Sequence, residues 1–163
     1  MKKILLVLVL TLLIFVGCNA KNNLSNDKEI EEIVVDGEKI KLSYENNFLK
    51  MTYKESLTAF TSNTVGKQRI ISYNKNNENI LTIHLVYFEN KNIDEVMSDN
   101  KYLVNTKLIN DLEYQYYEYE VNEQKGHTYV YYYDGTTYTI NFLSNKDITQ
   151  LETAFMKNVQ FKG

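Results

Sequence analysis

A tyrosine-rich run across residues 113–142 constrains this fold more than any other part of the sequence. It reads EYQYYEYEVNEQKGHTYVYYYDGTTYTINF and holds nine of the chain's 14 tyrosines. Its apolar and polar residues alternate, which indicates β-strands with one buried face. The dipeptide Asp134-Gly135 is typical of a two-residue type I′ turn, so Tyr133 is expected to pair with Thr136. The run therefore predicts three consecutive antiparallel strands.

The second turn of this run decides which tyrosines share a face. Gly126 suits the left-handed position of a three-residue loop, which would pair Val121 with Tyr129. This register places the apolar residues on one face of the sheet, which a helix is expected to cover. They are Tyr117, Tyr119, Val121, Tyr129, Tyr131, Tyr133, Tyr138, Ile140 and Phe142. The opposite face then carries the candidate ligand-binding residues Tyr114, Tyr116, Tyr132, Glu118 and Glu120. Burial of those tyrosines under a second layer is the alternative.

The rest of the body reads as further strands and two helices. Asp36-Gly37 predicts another hairpin, and residues 79–88 predict a central strand because both of its faces are apolar. Asn92 is expected to cap a short helix. A terminal helix, capped by Ser144 or Asn145, is expected to present an apolar stripe of Ile148, Leu151, Phe155 and Val159. The sequence thus predicts one α+β domain with a central antiparallel sheet of about six to seven strands packed by helices.

The N-terminus, MKKILLVLVLTLLIFVGCNA, has the pattern of a signal sequence. Lys2 and Lys3 precede an apolar stretch over residues 4–17, which is shorter than the roughly 20 residues that span a bilayer. The pair Gly17-Cys18 resembles the lipobox of bacterial lipoprotein signal peptides, although Phe15 stands where that family usually has leucine. A plain secretory signal with an incidental cysteine, or an uncleaved anchor, is the alternative.

The lipobox resemblance implies an address and a domain division. Residues 1–17 would be a cleaved signal peptide, residues 18–28 a flexible tether, and residues 29–163 the folded domain. Cys18 would carry the lipid, with palmitate among its acyl chains, and hold the protein on the outer face of the bacterial cell membrane. Two acyl chains anchor a protein stably where a single chain does so only marginally.

Charge and composition argue against several functional classes. The chain has a formal net charge of −3 and scattered lysines, which argues against a nucleic-acid partner. His84 and His127 lack the spacing of a metal pair and are expected to be structural. No serine nucleophile motif occurs, and we expect neither a cofactor nor a metal. Glu118 and Glu120 on one strand face leave a weak calcium or glycosidase site as an alternative.

The order of elements over about residues 40–161 resembles the PsbP-like fold, an α/β/α sandwich around an antiparallel sheet. The chain departs from that family in having no proline where relatives often show an aromatic-proline pair. The resemblance implies a non-catalytic accessory or binding module. The first expectation is therefore a lipoprotein that is anchored to the membrane through Cys18 and acts through contacts with a protein or cell-wall partner. A glycan or small-ligand binding module using Tyr114, Tyr116 and Tyr132 is the second hypothesis, and a hydrolase is the third.

Overall fold

The computed structural model describes residues 31–163. The strands in this part of the chain are β1 (Glu31–Val35), β2 (Glu38–Leu42), β3 (Tyr44–Phe48), β4 (Met51–Glu55), β5 (Phe60–Val65), β6 (Gln68–Lys75), β7 (Glu78–Glu89), β8 (Asn105–Ile109), β9 (Leu112–Val121), β10 (Gln124–Tyr133), β11 (Thr136–Ser144) and β12 (Gln160–Phe161). The helices are α1 (Ile93–Val96) and α2 (Thr149–Lys157). The signal peptide, Cys18 and the tether expected from the sequence lie outside the described residues.

The fold is β-rich and is organised around one seven-stranded antiparallel sheet. Its strand order is β5-β6-β7-β11-β10-β9-β8, and β12-β4-β3 and β1-β2 form two smaller sheets. The predicted central antiparallel sheet of six to seven strands is therefore confirmed. The helices contribute less than the sequence predicted, because α1 has four residues and α2 has nine. No helix of residues 31–163 is long and apolar enough to cross a membrane.

The seven-stranded sheet has an inner face and an outer face. The inner face packs against α2 and the small sheets, so that Phe155 of α2 meets Phe142 of β11 and Tyr53 of β4. The outer face is partly covered by α1, which contacts β10. Burial on the inner face is nearly complete for the rings of Tyr138 and Phe142. The hydrophobic core therefore lies between the large sheet and the layer formed by α2 with the small sheets.

The hairpin at Asp134-Gly135 forms as predicted. Tyr133 pairs with Thr136, and the register continues to His127 opposite Phe142. Both turn residues have positive φ, 43° at Asp134 and 78° at Gly135, as a type I′ turn requires. The Asp36-Gly37 hairpin is confirmed in the same way by the pairing of Val35 with Glu38.

The predicted register between β9 and β10 is wrong, and the error reverses the face of every residue in β9. The turn consists of Asn122 and Glu123, both with positive φ, and pairs Val121 with Gln124. Tyr129 consequently faces Tyr116. Because side chains alternate along a strand, an odd shift in pairing moves each one to the other side of the sheet.

Gly126 lies inside β10 for a reason unrelated to a turn. It pairs with Tyr119, whose ring lies across it on the outer face. A Cβ atom built on Gly126 would approach the Cζ of Tyr119 to 2.2 Å. The position therefore requires glycine because of the close approach of this ring.

The start of α1 agrees with the sequence prediction, and the start of α2 differs from it. Asn92 caps α1, and Glu95 completes a capping box with it, as the N-cap prediction required. The predicted caps at Ser144 and Asn145 are wrong, because α2 begins at Thr149, whose backbone N–H donates to Asp147 Oδ1 over 3.0 Å. The predicted apolar stripe is confirmed, since its four residues Ile148, Leu151, Phe155 and Val159 are all buried.

The observed register predicts the effect of adding one methyl group to β10. Gly126→Ala should displace the Tyr119 ring and lower the free energy of unfolding by about 1–3 kcal/mol, as overpacking typically does. Urea denaturation of the variant measures this loss. Tyr119→Ala is the matched partner, because removing the ring removes the clash. The double variant should therefore be destabilised by clearly less than the sum of the single variants, and strict additivity would contradict the contact.

Candidate functional site

The structure does not bring together the five residues predicted to bind a ligand. Tyr114 and Tyr116 turn to the inner face and are buried, with 1% and 3% of their surface exposed. Tyr132 remains on the outer face and is 46% exposed. Glu118 and Glu120 point to the same side as Tyr116, but they lie at the exposed end of β9. The β9–β10 register is the cause, because it places Tyr114 and Tyr116 on the face of the sheet opposite to Tyr132.

Tyr116 and Glu118 instead form part of the end wall of the inner layer. The Tyr116 hydroxyl donates to Glu118 Oε1 over 2.5 Å, and the ammonium of Lys107 lies 3.3 Å from the centroid of the Tyr116 ring. This hydrogen bond, aided by nearby His127, lowers the pKa of Glu118 below its ordinary value. Glu118 is thereby held as a carboxylate beside the sheet.

The same register creates a different aromatic group on the outer face, which we term the outer-face tyrosine cluster: Tyr102, Tyr117 and Tyr119. Tyr102 stacks on Tyr117 with ring centroids 5.7 Å apart and an interplanar angle of 10°. Its centroid lies 5.4 Å from that of Tyr119. The sequence interpretation placed Tyr117 and Tyr119 on the wrong face and gave Tyr102 no role. Asn122 was the available signal, because asparagine favours the left-handed conformation of a type I′ turn.

A groove of about 400 Å³ lies beside this cluster, between the outer face and the segment that includes the end of α1. We term it the outer groove. Its walls mix aromatic, aliphatic and polar side chains from His84, Phe88, Val96, Met97, Asp99, Asn100, Tyr102, Tyr117, Tyr119, Thr128, Val130, Thr139 and Asn141. Ligand sites in proteins typically combine apolar walls with a few oriented polar groups, and the outer groove has this composition.

Hydrogen bonds within the outer groove hold its polar groups in place. Asn141 Nδ2 donates to the Tyr119 hydroxyl over 2.8 Å, and Thr128 Oγ1 donates to Asn141 Oδ1 over 3.2 Å. Burial raises the pKa of Tyr119, so its hydroxyl stays protonated at neutral pH. His84 lies 2.9 Å from Gln68 Oε1 through Nε2, and burial lowers its pKa. The groove therefore offers mainly neutral donors and acceptors beside ring faces, with Asp99 as the acidic exception.

A second cavity, of about 560 Å³, lies at the end of the inner layer. We term it the end cavity. It is lined by Glu118, Tyr119, Glu120, Glu123, Lys125, His127, Ser144, Asn145, Lys146, Asp147, Ile148 and Thr149. Below His127 lies the buried carboxylate of Glu152 from α2, with one of its oxygens 2.6 Å from His127 Nδ1. The Tyr129 hydroxyl donates to the other oxygen.

The contacts of Glu152 define what this arrangement can do. Each carboxylate oxygen has a side-chain partner on β10, and the carboxylate is buried. The hydrogen bond to Glu152 raises the pKa of His127, and the nearby charge of Glu118 acts in the same direction. The bonds of Glu152 to His127 and Tyr129 therefore join α2 to the sheet. Over residues 31–163, no group of three or more His, Cys, Asp and Glu side chains is placed to hold a metal ion.

Comparison with known proteins adds information about the fold alone. Neither a protein-family model nor a curated protein matches this sequence. A crystal structure from Bacteroides thetaiotaomicron VPI-5482 is similar, with a TM-score of 0.55 and 7% sequence identity over 74% of this chain. The match covers 48% of the Bacteroides chain, so the present chain corresponds to about half of that protein. The similarity therefore supports the β-rich architecture.

The raised pKa of His127 predicts how stability depends on pH. His127 binds its proton more tightly in the folded state than in the unfolded state. This stabilisation is therefore complete below pH 6.5 and is lost as the pH rises through the raised pKa. The free energy of unfolding of the wild type, compared with His127→Gln, should therefore be larger at pH 6 than at pH 9. Urea denaturation at the two pH values measures the difference.

His84→Gln provides a control of opposite sign. Burial lowers the pKa of His84, so its contribution is present above pH 6.5 and is lost as the pH falls through the lowered value. The wild type should therefore lose stability relative to His84→Gln on acidification. For His127, the assigned bond to Glu152 would be contradicted if the difference in free energy of unfolding between wild type and His127→Gln did not change with pH.

Proposed function

We propose that this protein is a non-catalytic lipoprotein, anchored through Cys18 on the outer face of a bacterial membrane, that binds another molecule in the outer groove. The proposed address rests on the sequence, in which a short apolar stretch is followed by Gly17-Cys18. A polar segment of residues 18–28 would separate the lipid from the folded body. Stretched out, those residues reach on the order of 30 Å, which would let the body meet partners beyond the lipid surface.

The single observation that carries the binding proposal is the outer groove beside the outer-face tyrosine cluster. Ring faces with adjacent neutral hydrogen-bonding groups suit a sugar ring or another flat, polar small molecule, because its apolar face can pack on an aromatic ring while its edge bonds to amides and hydroxyls. Asn100, Asn141 and Thr139 line the groove and could serve such an edge. A glycan of the cell wall is the ligand class that this chemistry and the proposed address favour together.

A protein partner is the second candidate, and exposed apolar residues on the segments that flank the cluster favour it. Leu103 is 81% exposed and Leu108 on the edge strand β8 is 70% exposed. Leu103 follows Tyr102 directly in sequence, and Leu108 lies on the same face of the sheet as Tyr117 and Tyr119. We further propose a PsbP-like relationship, which the antiparallel sheet with α2 on one face and α1 on the other supports. That family relationship implies an accessory role of this kind.

The anchoring proposal predicts the result of replacing the thiol of Cys18 by a hydroxyl. Cys18→Ser should abolish incorporation of labelled palmitate and should release the protein or leave its precursor uncleaved, because the hydroxyl does not accept the lipid. Metabolic labelling and fractionation of cells expressing the full chain measure both effects. Continued labelling of the variant would contradict the proposed site.

The binding proposal predicts a loss of affinity confined to the cluster. Cell-wall glycan fragments titrated into the full lipoprotein in detergent should change its tyrosine fluorescence in a saturable way. Tyr117→Ala should weaken binding by about tenfold, the equivalent of one aromatic contact. Tyr132→Ala is the matched control, because that tyrosine is exposed on the same face but does not line the groove. Equal loss in both variants, or no response in the wild type, would count against the groove.

A further inference from the structure

Strand β5 forms an open edge of the seven-stranded sheet with unusual composition. It reads FTSNTV, pairs only with β6 in the described part of the chain, and has no charged residue and no proline. The edge of such a strand presents unpaired backbone N–H and C=O groups, which can accept a further strand. Natural proteins usually protect such edges with charges, prolines, bulges or very short strands.

The other edge strands of residues 31–163 have the protection that β5 lacks. Lys107 on β8, at the opposite edge of the large sheet, points its ammonium inward over the Tyr116 ring. The small sheets carry charges on β1, β2 and β3, whereas β12 has only two residues. Among edge strands longer than two residues in this part of the protein, β5 alone is uncharged. This contrast makes β5 the unprotected edge of residues 31–163.

The β5–β6 hairpin also extends beyond the cover of the inner layer. Residues 61–65 are exposed, although alternate residues of a strand face opposite sides. Val65 is 65% exposed, and Ile70 of β6, which pairs with Asn63, is 40% exposed. Beyond Phe60, both faces of β5 are therefore open to solvent.

We propose that β5 pairs antiparallel with β5 of a second copy of this chain, about a two-fold axis at Asn63, and so continues the sheet from one molecule into the next. A two-fold contact places the same surface against itself, so it is compatible only with residues that tolerate their own kind as neighbours. Centred at Asn63, the pairing sets Thr61 opposite Val65 and Ser62 opposite Thr64. All of these residues are uncharged, so no like charges oppose each other, and the β-branched ones favour strands.

A second copy explains this edge better than an unrelated peptide does. A strand that received a peptide of another protein would gain specificity from charges or side-chain pockets. No residue of β5 is charged, and the Arg69 guanidinium, which donates to Ser62 Oγ over 3.1 Å, is already paired with Glu55. One added strand pair is a small contact, so the dimer should be weak and reversible. The pairing does not depend on the lipid, although anchoring of both copies on one membrane would raise their effective concentration.

Cysteine crosslinking in cells tests the position of the axis. In the full chain carrying Asn63→Cys, mild oxidation should give a disulfide-linked dimer on a non-reducing gel, because residues at the centre of such a pair face each other closely. The wild type controls for Cys18, and Thr106→Cys places a thiol on the exposed outer side of β8, the opposite edge. Dimer in Asn63→Cys alone supports the proposal. No dimer, equal dimer in Thr106→Cys, or a crosslink to a different protein overturns it.

Paired charges provide a second, independent test. Two differently tagged full-length copies should co-purify from detergent extracts when both are wild type. Co-purification should fall by about fivefold when both carry Asn63→Lys or both carry Asn63→Asp, since like charges would then face each other. Mixing the Lys variant with the Asp variant should restore it. Co-purification that does not depend on the combination of charges would refute pairing at Asn63.

These tests are separable from the proposed anchoring and groove. Palmitate labelling of the same Asn63 variants measures lipid anchoring directly, and the incorporated label should not change. Asn63 does not line the outer groove, so glycan titration should also be unaffected. Absence of the Asn63→Cys crosslink, with palmitate labelling and glycan titration intact, would therefore reject the edge pairing alone.

Discussion

The two-residue turn at Asn122-Glu123 sets the pairing of β9 with β10, and most of the other features of this protein depend on that register. It places Tyr116 opposite Tyr129 and brings Tyr114 under the inner layer. It also puts Tyr117 and Tyr119 on the opposite side, where Tyr102 stacks on them. If the pairing were shifted by an odd number of residues, the core would lose the rings of Tyr114 and Tyr116. The outer groove would then lose Tyr117 and Tyr119 from its lining.

The buried tyrosines show how the chain builds a core from polar-tipped rings. Each ring buries a large area, but its hydroxyl needs a partner when it leaves water. Tyr129 uses Glu152, Tyr116 uses Glu118 and Tyr73 uses Glu38, so acids at the margins of the core serve its aromatic interior. The hydroxyls of Tyr53 and Tyr114 are buried without a hydrogen-bond partner among the described residues. Through its bonds to His127 and Tyr129, Glu152 joins α2 to β10, and these bonds give the acid on the buried side of α2 its partners.

The two sides of the large sheet have separate roles in the proposed function. The inner side is filled by α2 and the small sheets, and it supplies stability in a chain that can form no internal disulfide, because it has one cysteine. The outer side is covered only in part and retains the outer groove, whose polar groups are ordered by bonds among Tyr119, Asn141 and Thr128. A rigid sheet with one filled face thus presents a formed surface on the other. The open edge at β5 is a third surface, at right angles to both faces.

Much of the architecture could be predicted from local patterns alone. Asp134-Gly135 and Asp36-Gly37 determined two hairpins, because their residues suit positive φ at both turn positions, and spacing identified the buried stripe of α2. The sequence pattern also indicated the proposed signal peptide and the lipid site at Cys18. Local pattern misassigned Gly126 to a turn, whereas it lies within β10 with the Tyr119 ring across it. The face of each β9 tyrosine, the stacking of Tyr102 and the open edge of β5 were decided only by tertiary structure, because each depends on residues that are distant in sequence and meet only when the sheet has formed.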